Sequence, residues 1–115
     1  MQHRDKAILN KIVSELDYGI NLLSNMSCDR FLDDELYKRA ASMTTINIGE
    51  LVKTLTDEIR NKHNHVPWRG MAGMRDIAAH RYQTLRMEDV YNTISDEFPV
   101  LRKKIVLILA EDITE

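Results

Sequence analysis

Residues 66–82 read VPWRGMAGMRDIAAHRY. Pro67 suits the first turn of a helix, where its missing N–H would be unpaired anyway, so a helix is expected from Trp68 to about Tyr82. Gly70 and Gly73 would let another backbone come close to it. At about 100° per residue, Asp76 falls about 100° and His80 about 140° from Arg75, while Tyr82 returns to within about 20° of it. Arg75 and Tyr82 therefore share a face, and Asp76 and His80 form an i, i+4 pair able to hydrogen-bond. Met74 and Ile77 point to the other side, and Arg81 falls among the apolar positions. A helix that only fills a core needs none of Arg75, Asp76, His80, Arg81 or Tyr82. Either this is a solvated face, or it is the working part of the molecule.

Outward from this helix the periodicity is helical throughout. Ile8, Ile12, Leu16, Ile20 and Leu23 step by three and four, which predicts a first helix over residues 4–24. NMSCD interrupts it. Leu36, Ala40, Met43, Ile48, Leu51, Leu55 and Ile59 predict one long second helix over residues 33–62, preceded by a short turn around Phe31. Gly49 weakens that helix by ~1 kcal/mol relative to Ala. It marks either a close helix crossing or a tolerated defect. QTLR reads as a turn, and a fourth helix is expected from near Arg86, with Glu88 and Asp89 in its positive first turn. Val90, Ile94, Leu101, Ile105 and Ile108 line its buried face. Pro99 should kink or split it. With no strand alternation, repeat or low-complexity segment, residues 1–115 are expected to be a single all-α domain, an antiparallel bundle of four main helices.

The composition narrows the function. The 115 residues are 43% hydrophobic and 30% charged, an ordinary globular balance rather than a disordered or membrane-embedded one. The longest apolar run, IVLILA, is too short to span a bilayer. The charged MQHRDK start carries no signal-peptide apolar region, and the lone Cys28 fits a reducing compartment, so a cytoplasmic protein is expected. A net charge of −2 argues against indiscriminate nucleic-acid binding. Yet from Arg60 to Arg86 six bases (Arg60, Lys62, Arg69, Arg75, Arg81, Arg86) stand against one acid, Asp76. That window is a candidate phosphate-facing surface, set against the bland reading that charges cluster by chance.

The residue types in the arc have chemistry available to them. Arg75 presents a permanently charged fork of donors suited to a phosphate oxygen. His80 can take and return a proton near neutrality. RNA supplies both an anion and an internal nucleophile, the 2′-OH. Arg75 and His80 would suffice for metal-independent cleavage, with Asp76 orienting the imidazole and Arg69, Arg81 and Tyr82 contacting substrate. Against this, Arg and His near a helix C-terminus are favoured by the macrodipole alone. HNH at residues 63–65 is a weak metal signal, since no third ligand stands nearby, and exposed loop histidines are the expectation. No metal or cofactor is implied. Trp68 reads as a core anchor, the six Met as core filling, Cys28 as inert, and Asp33–Asp34 and Asp57–Glu58 as solvated acids flanking helices.

RDIAAHRY also matches an Arg-x4-His-x-Tyr signature, and in this respect the chain resembles the HEPN-domain proteins, specifically the HepT-like toxins. VPWRGMAGMRDIAAHRY followed by VYNTISDEFPVL resembles that family's Pro-Trp, Gly-Met-Arg and Pro-x-Leu landmarks, and INIGEL at residues 46–51 resembles its second-helix signature. The resemblance runs through nearly the whole chain. It implies an all-α bundle that forms a homodimer, bringing two motifs together across a cleft. It implies a metal-independent endoribonuclease, with Arg75 and His80 catalytic and Asp76 the adjacent polar residue. It further implies the toxin of a type II toxin–antitoxin pair, silenced when a minimal nucleotidyltransferase antitoxin adds AMP to Tyr82. Many relatives carry Asn in place of Asp76 and Asp in place of Arg81. An acid beside the catalytic groups opposes RNA binding, and Arg81 favours it. The alternative is a non-catalytic HEPN module that binds a nucleotidyltransferase and a nucleotide.

Overall fold

Helix α1 spans His3–Leu23, and a short α2, Cys28–Leu32, follows it in a computed structural model that describes residues 1–80 and 82–114, with side chains for residues 1–76 and 82–111. Next come α3 (Glu35–Lys53), α4 (Asp57–Lys62), α5 (Trp68–His80), a 3₁₀ turn (Tyr82–Thr84), α6 (Met87–Asn92) and α7 (Phe98–Thr114). No strand occurs among the described residues. The four main helices of the bundle are α1, α3, α5 and the α6–α7 rod. The apolar stripe of α1 (Leu9, Ile12, Leu16) is fully buried together with Ile48 and Val52 of α3 and with Phe98 and Ile105 of α7. α1 packs between α3 and α7, and α5 packs on α3.

The single long helix expected over residues 33–62 is two helices. Asp34, one of the acids expected to be merely solvated, caps α3 by accepting the Tyr37 N–H at 3.2 Å. α3 ends at Lys53. Thr56 then takes an extended backbone (φ −69°, ψ 155°) and its hydroxyl caps α4, accepting the Ile59 N–H at 3.4 Å. The break is held from α1. Buried Asp5 accepts the Thr56 N–H at 3.0 Å and the Thr56 hydroxyl at 2.5 Å, and Arg4 donates to the Thr54 carbonyl at 3.0 Å. Leu51, Leu55 and Ile59 keep apolar spacing straight through the break, so periodicity could not reveal it. Asp5→Ala leaves the part-buried Thr56 N–H and hydroxyl without their partner and is expected to cost about 2 kcal/mol, read as a lower midpoint in urea denaturation. Asp5→Asn, which keeps a carbonyl acceptor, should lose less.

Pro67 precedes α5, and its carbonyl accepts the Met71 N–H at 3.0 Å. Trp68 is the buried anchor expected of it, its indole N–H donating to the His63 carbonyl at 3.0 Å. The expected disruption at Pro99 takes the form of a π turn over Thr93–Glu97, in which the Phe98 N–H donates to the Thr93 carbonyl five residues back. Proline lacks an N–H and crowds the carbonyl four residues before it, so a widened turn lets the rod continue. Gly19 of α1 lets the Phe98 ring in, since a Cβ there would stand 2.8 Å from it. No helix among the described residues is long and apolar enough to cross a membrane.

Candidate active site

The decisive contact is the crossing of α3 and α5. A Cβ placed on Gly49 would lie 2.3 Å from the Arg75 Cβ and 3.1 Å from the Met71 carbonyl oxygen. The two backbones therefore touch at Arg75, and Gly49 is a close crossing rather than a tolerated defect. Gly70 and Gly73 do not serve the approach expected of them. Among the described residues nothing lies within 4 Å of a Cβ on Gly73, and Gly70 meets only Pro67, at 3.9 Å.

The crossing sets the electrostatics of Arg75. Glu50, next in sequence to Gly49, ion-pairs with its guanidinium, and Asp76 accepts from its Nη1 at 3.2 Å. One turn along α3, Lys53 donates from Nζ to the same Asp76 oxygen, Oδ1, at 2.9 Å. Lys53 is the first reason that the Asp76 carboxyl is held below its ordinary range, with Arg75 adding to it against the opposing effect of burial. The depressed value means that the pairs are complete at neutral pH. They are lost only as pH falls through the lowered carboxylate range. Exposed pairs of this kind contribute little to stability, so they orient side chains more than they stabilise the fold.

Tyr82 occupies a separate station. Its hydroxyl donates to Glu35 Oε1 at 3.3 Å, and the Arg39 guanidinium lies 5.6 Å from its ring centre. Burial first, and then the Glu35 charge, push the phenol above its ordinary value, so it is protonated and donating at neutral pH. Lys38 in turn holds Glu35 below the usual carboxylate range. Glu35→Gln removes a charge that disfavours tyrosinate. It is expected to lower the Tyr82 ionisation point, measured by alkaline absorbance titration against Tyr82→Phe. Glu35 and Glu50 are fifteen residues apart on one helix, about 22 Å along its axis. The helix expected to reach Tyr82 ends at His80 and Tyr82 lies in the 3₁₀ turn beyond it, so Arg75 and Tyr82 meet two stations of α3 rather than one shared face.

The remaining site residues fall as follows. Arg69 is exposed on the first turn of α5. His80 is the last residue of α5, but its side chain, and all of Arg81, lie outside the described residues. The basic window is less unbalanced in space than in sequence. Arg60 pairs with Asp57 at 2.6 Å, Arg86 pairs with Glu88 at 3.4 Å, and Arg75 has Glu50. Nor are both loop histidines exposed, because His63 is buried and its ring meets His65 at 5.9 Å between centroids. Among the described residues no three His, Cys, Asp or Glu gather as metal ligands. Sequence reasoning missed Glu35, Arg39, Glu50 and Lys53. The one signal available was INIGEL, which holds the crossing glycine and the glutamate beside it.

The description of the HepT-like ribonucleases matches residues 10–108, which include every one of these positions. The chain belongs to the HepT-like ribonuclease family. It is 36% identical over 104 residues to a protein named "Putative RNase" from Caldanaerobacter subterraneus subsp. tengcongensis, a match covering 90% of this chain and 93% of that relative. A protein of the same designation from Methanocaldococcus jannaschii is 34% identical over 112 residues, covering 96% and 93%. The "Probable ribonuclease HepT" of Thermococcus cleftensis is 26% identical over 104 residues, covering 90% and 94%. No solved structure matches the chain. Within this HepT-like frame the enzyme class is endoribonuclease.

Proposed function

We propose that this HepT-like protein cleaves RNA without a metal ion, as the toxin of a toxin–antitoxin pair. In the reaction, His80 takes the proton of a ribose 2′-OH and the freed oxygen attacks the adjacent phosphorus. The bond to the 5′-oxygen breaks, leaving a 2′,3′-cyclic phosphate, and the departing oxygen takes a proton from water. Arg75 neutralises the charge that builds on the phosphoryl oxygens. Asp76, four residues before His80, can orient the imidazole while it binds Arg75. Arg69, Arg81 and Tyr82 contact the substrate strand. The observation that carries this reading is the state of Arg75. It is fixed at a helix crossing, yet its side chain is 29% exposed and so within reach of a phosphate.

Silencing follows from the same surface. A minimal nucleotidyltransferase antitoxin transfers AMP from ATP to the Tyr82 oxygen, with pyrophosphate leaving and the phenol proton lost to solvent, which sets a negative phosphodiester and an adenosine where RNA phosphates must pass. A homodimer facing α3 to α3 would join two such surfaces. In support, the large exposed apolar residues Leu36 and Met43 recur every seven residues on the stripe of α3 that carries Glu50. The test is cleavage of tRNA, mRNA and rRNA in EDTA by purified protein whose intact mass shows an unmodified chain. Cleavage that disappears once an AMP adduct is present on Tyr82 is the expected result. No cleavage by the unmodified dimer would favour the binding-module reading, which the engagement of Arg75 by two carboxylates also suits.

A further inference from the structure

We infer that Lys53 is a phosphate-binding residue of this site and that it forms a two-cation clamp with Arg75. The inference rests on the RNA-cleaving reading above and extends it to a residue outside the Arg-x4-His-x-Tyr motif. Lys53 Nζ and Arg75 Nη1 converge on one atom, Asp76 Oδ1, at 2.9 and 3.2 Å. Two cations from two helices thus flank a single anionic oxygen, an arrangement that would equally suit a phosphate oxygen. All three side chains are open to solvent, with Lys53 40% and Asp76 54% exposed. An ammonium carries three N–H donors, and Asp76 accepts one, which leaves capacity for a second acceptor.

Lys53 is also unusually well placed for a terminal lysine. It closes α3, and the segment after it is tied to α1 through Arg4–Thr54 and Asp5–Thr56. The Gly49 contact fixes α3 against α5 one turn earlier. The backbone beneath the ammonium is therefore anchored on both sides. In the free protein Asp76 holds the two cations together; in the complex an RNA phosphate shares them.

A bland role exists: Lys53 at a helix C-terminus suits the macrodipole and neutralises Asp76. A double-mutant cycle separates the two. The probe is a fluorescein-labelled, uncleavable 2′-O-methyl single-stranded oligoribonucleotide, its anisotropy followed over a series of salt concentrations with folding checked by Tm. Lys53→Gln should weaken binding about 3- to 10-fold near physiological salt and reduce the slope of log K against log[salt] by about 0.7 per protomer. Lys53→Arg should retain both. In an Asp76→Asn background Lys53→Gln should still reduce the slope, because a phosphate contact is lost whether or not the carboxylate is present. If Lys53→Gln has no effect in that background while Arg75→Gln still does, Lys53 only neutralises Asp76. The inference then falls and the RNA reading stands. If the wild-type dimer fails to bind the probe, both fall.

Discussion

Arg75→Ala should lower the rate of RNA cleavage by about 10²- to 10³-fold, the usual cost of removing a preorganised donor to a developing oxyanion. His80→Ala should cost about 10²- to 10⁴-fold through loss of proton transfer. Single-turnover cleavage in EDTA measures both. Arg75→Ala is a fair test because the protein should stay folded. Alanine keeps the Cβ that packs on Gly49, and the Glu50 pair it removes is a surface pair, about 0–1 kcal/mol. The rate should fall on acidification, since a general base must be neutral to act. Lys53 and Arg75 hold the Asp76 carboxyl below its ordinary range, so its own protonation should enter only at the acid end. Wild-type rates in either variant would remove the residue in question from the mechanism.

Gly49→Val should have the largest effect on stability, a loss of about 3 kcal/mol or more. In an isolated helix, replacing glycine helps. Gly49→Ala alone would gain about 1 kcal/mol in helix propensity. Here the new Cβ would meet another helix's Cβ at 2.3 Å and a backbone carbonyl at 3.1 Å, neither of which can rotate away. The helices must separate, and overpacking of this kind costs about 1–3 kcal/mol before the two further methyls of valine are added. At about 4 °C per kcal/mol the fall in Tm is easily read. Cleavage should fall as well, because parting α3 from α5 pulls Glu50 and Lys53 away from Arg75 and Asp76. Gly73→Ala is the control. With none of the described residues within 4 Å of its Cβ, it should be neutral or gain up to about 1 kcal/mol. A Gly49→Val protein as stable as wild type would mean that the helices do not cross there.

The two glycine contexts show where sequence reading stops. Gly49 and Gly73 each sit in a helical pattern, and each allowed a close approach. Only the packing of α3 on α5 tells them apart. The Thr54–Thr56 break escaped for a related reason. Its apolar spacing is unbroken, and what ends the helix is Asp5, about fifty residues earlier. The loop histidines differ likewise, since burial of His63 depends on how the chain folds back over α4.

What the sequence by itself determined is what repeats locally or is read from its own letters. Helical periodicity set the four-helix architecture, Pro67 and Pro99 marked a helix start and a disturbed rod, and the Arg-x4-His-x-Tyr spacing pointed to the HepT-like family. What only the tertiary structure decided is which charges meet. Arg75 faces Glu50 and Asp76, Lys53 joins Asp76, and Tyr82 leans on Glu35 and Arg39. The physical reason is range. Helix patterning acts over three or four neighbouring residues, whereas the contacts that α3 makes with Arg75, Asp76 and Tyr82 join positions 23 to 47 residues apart and exist only once Gly49 lets two helices touch.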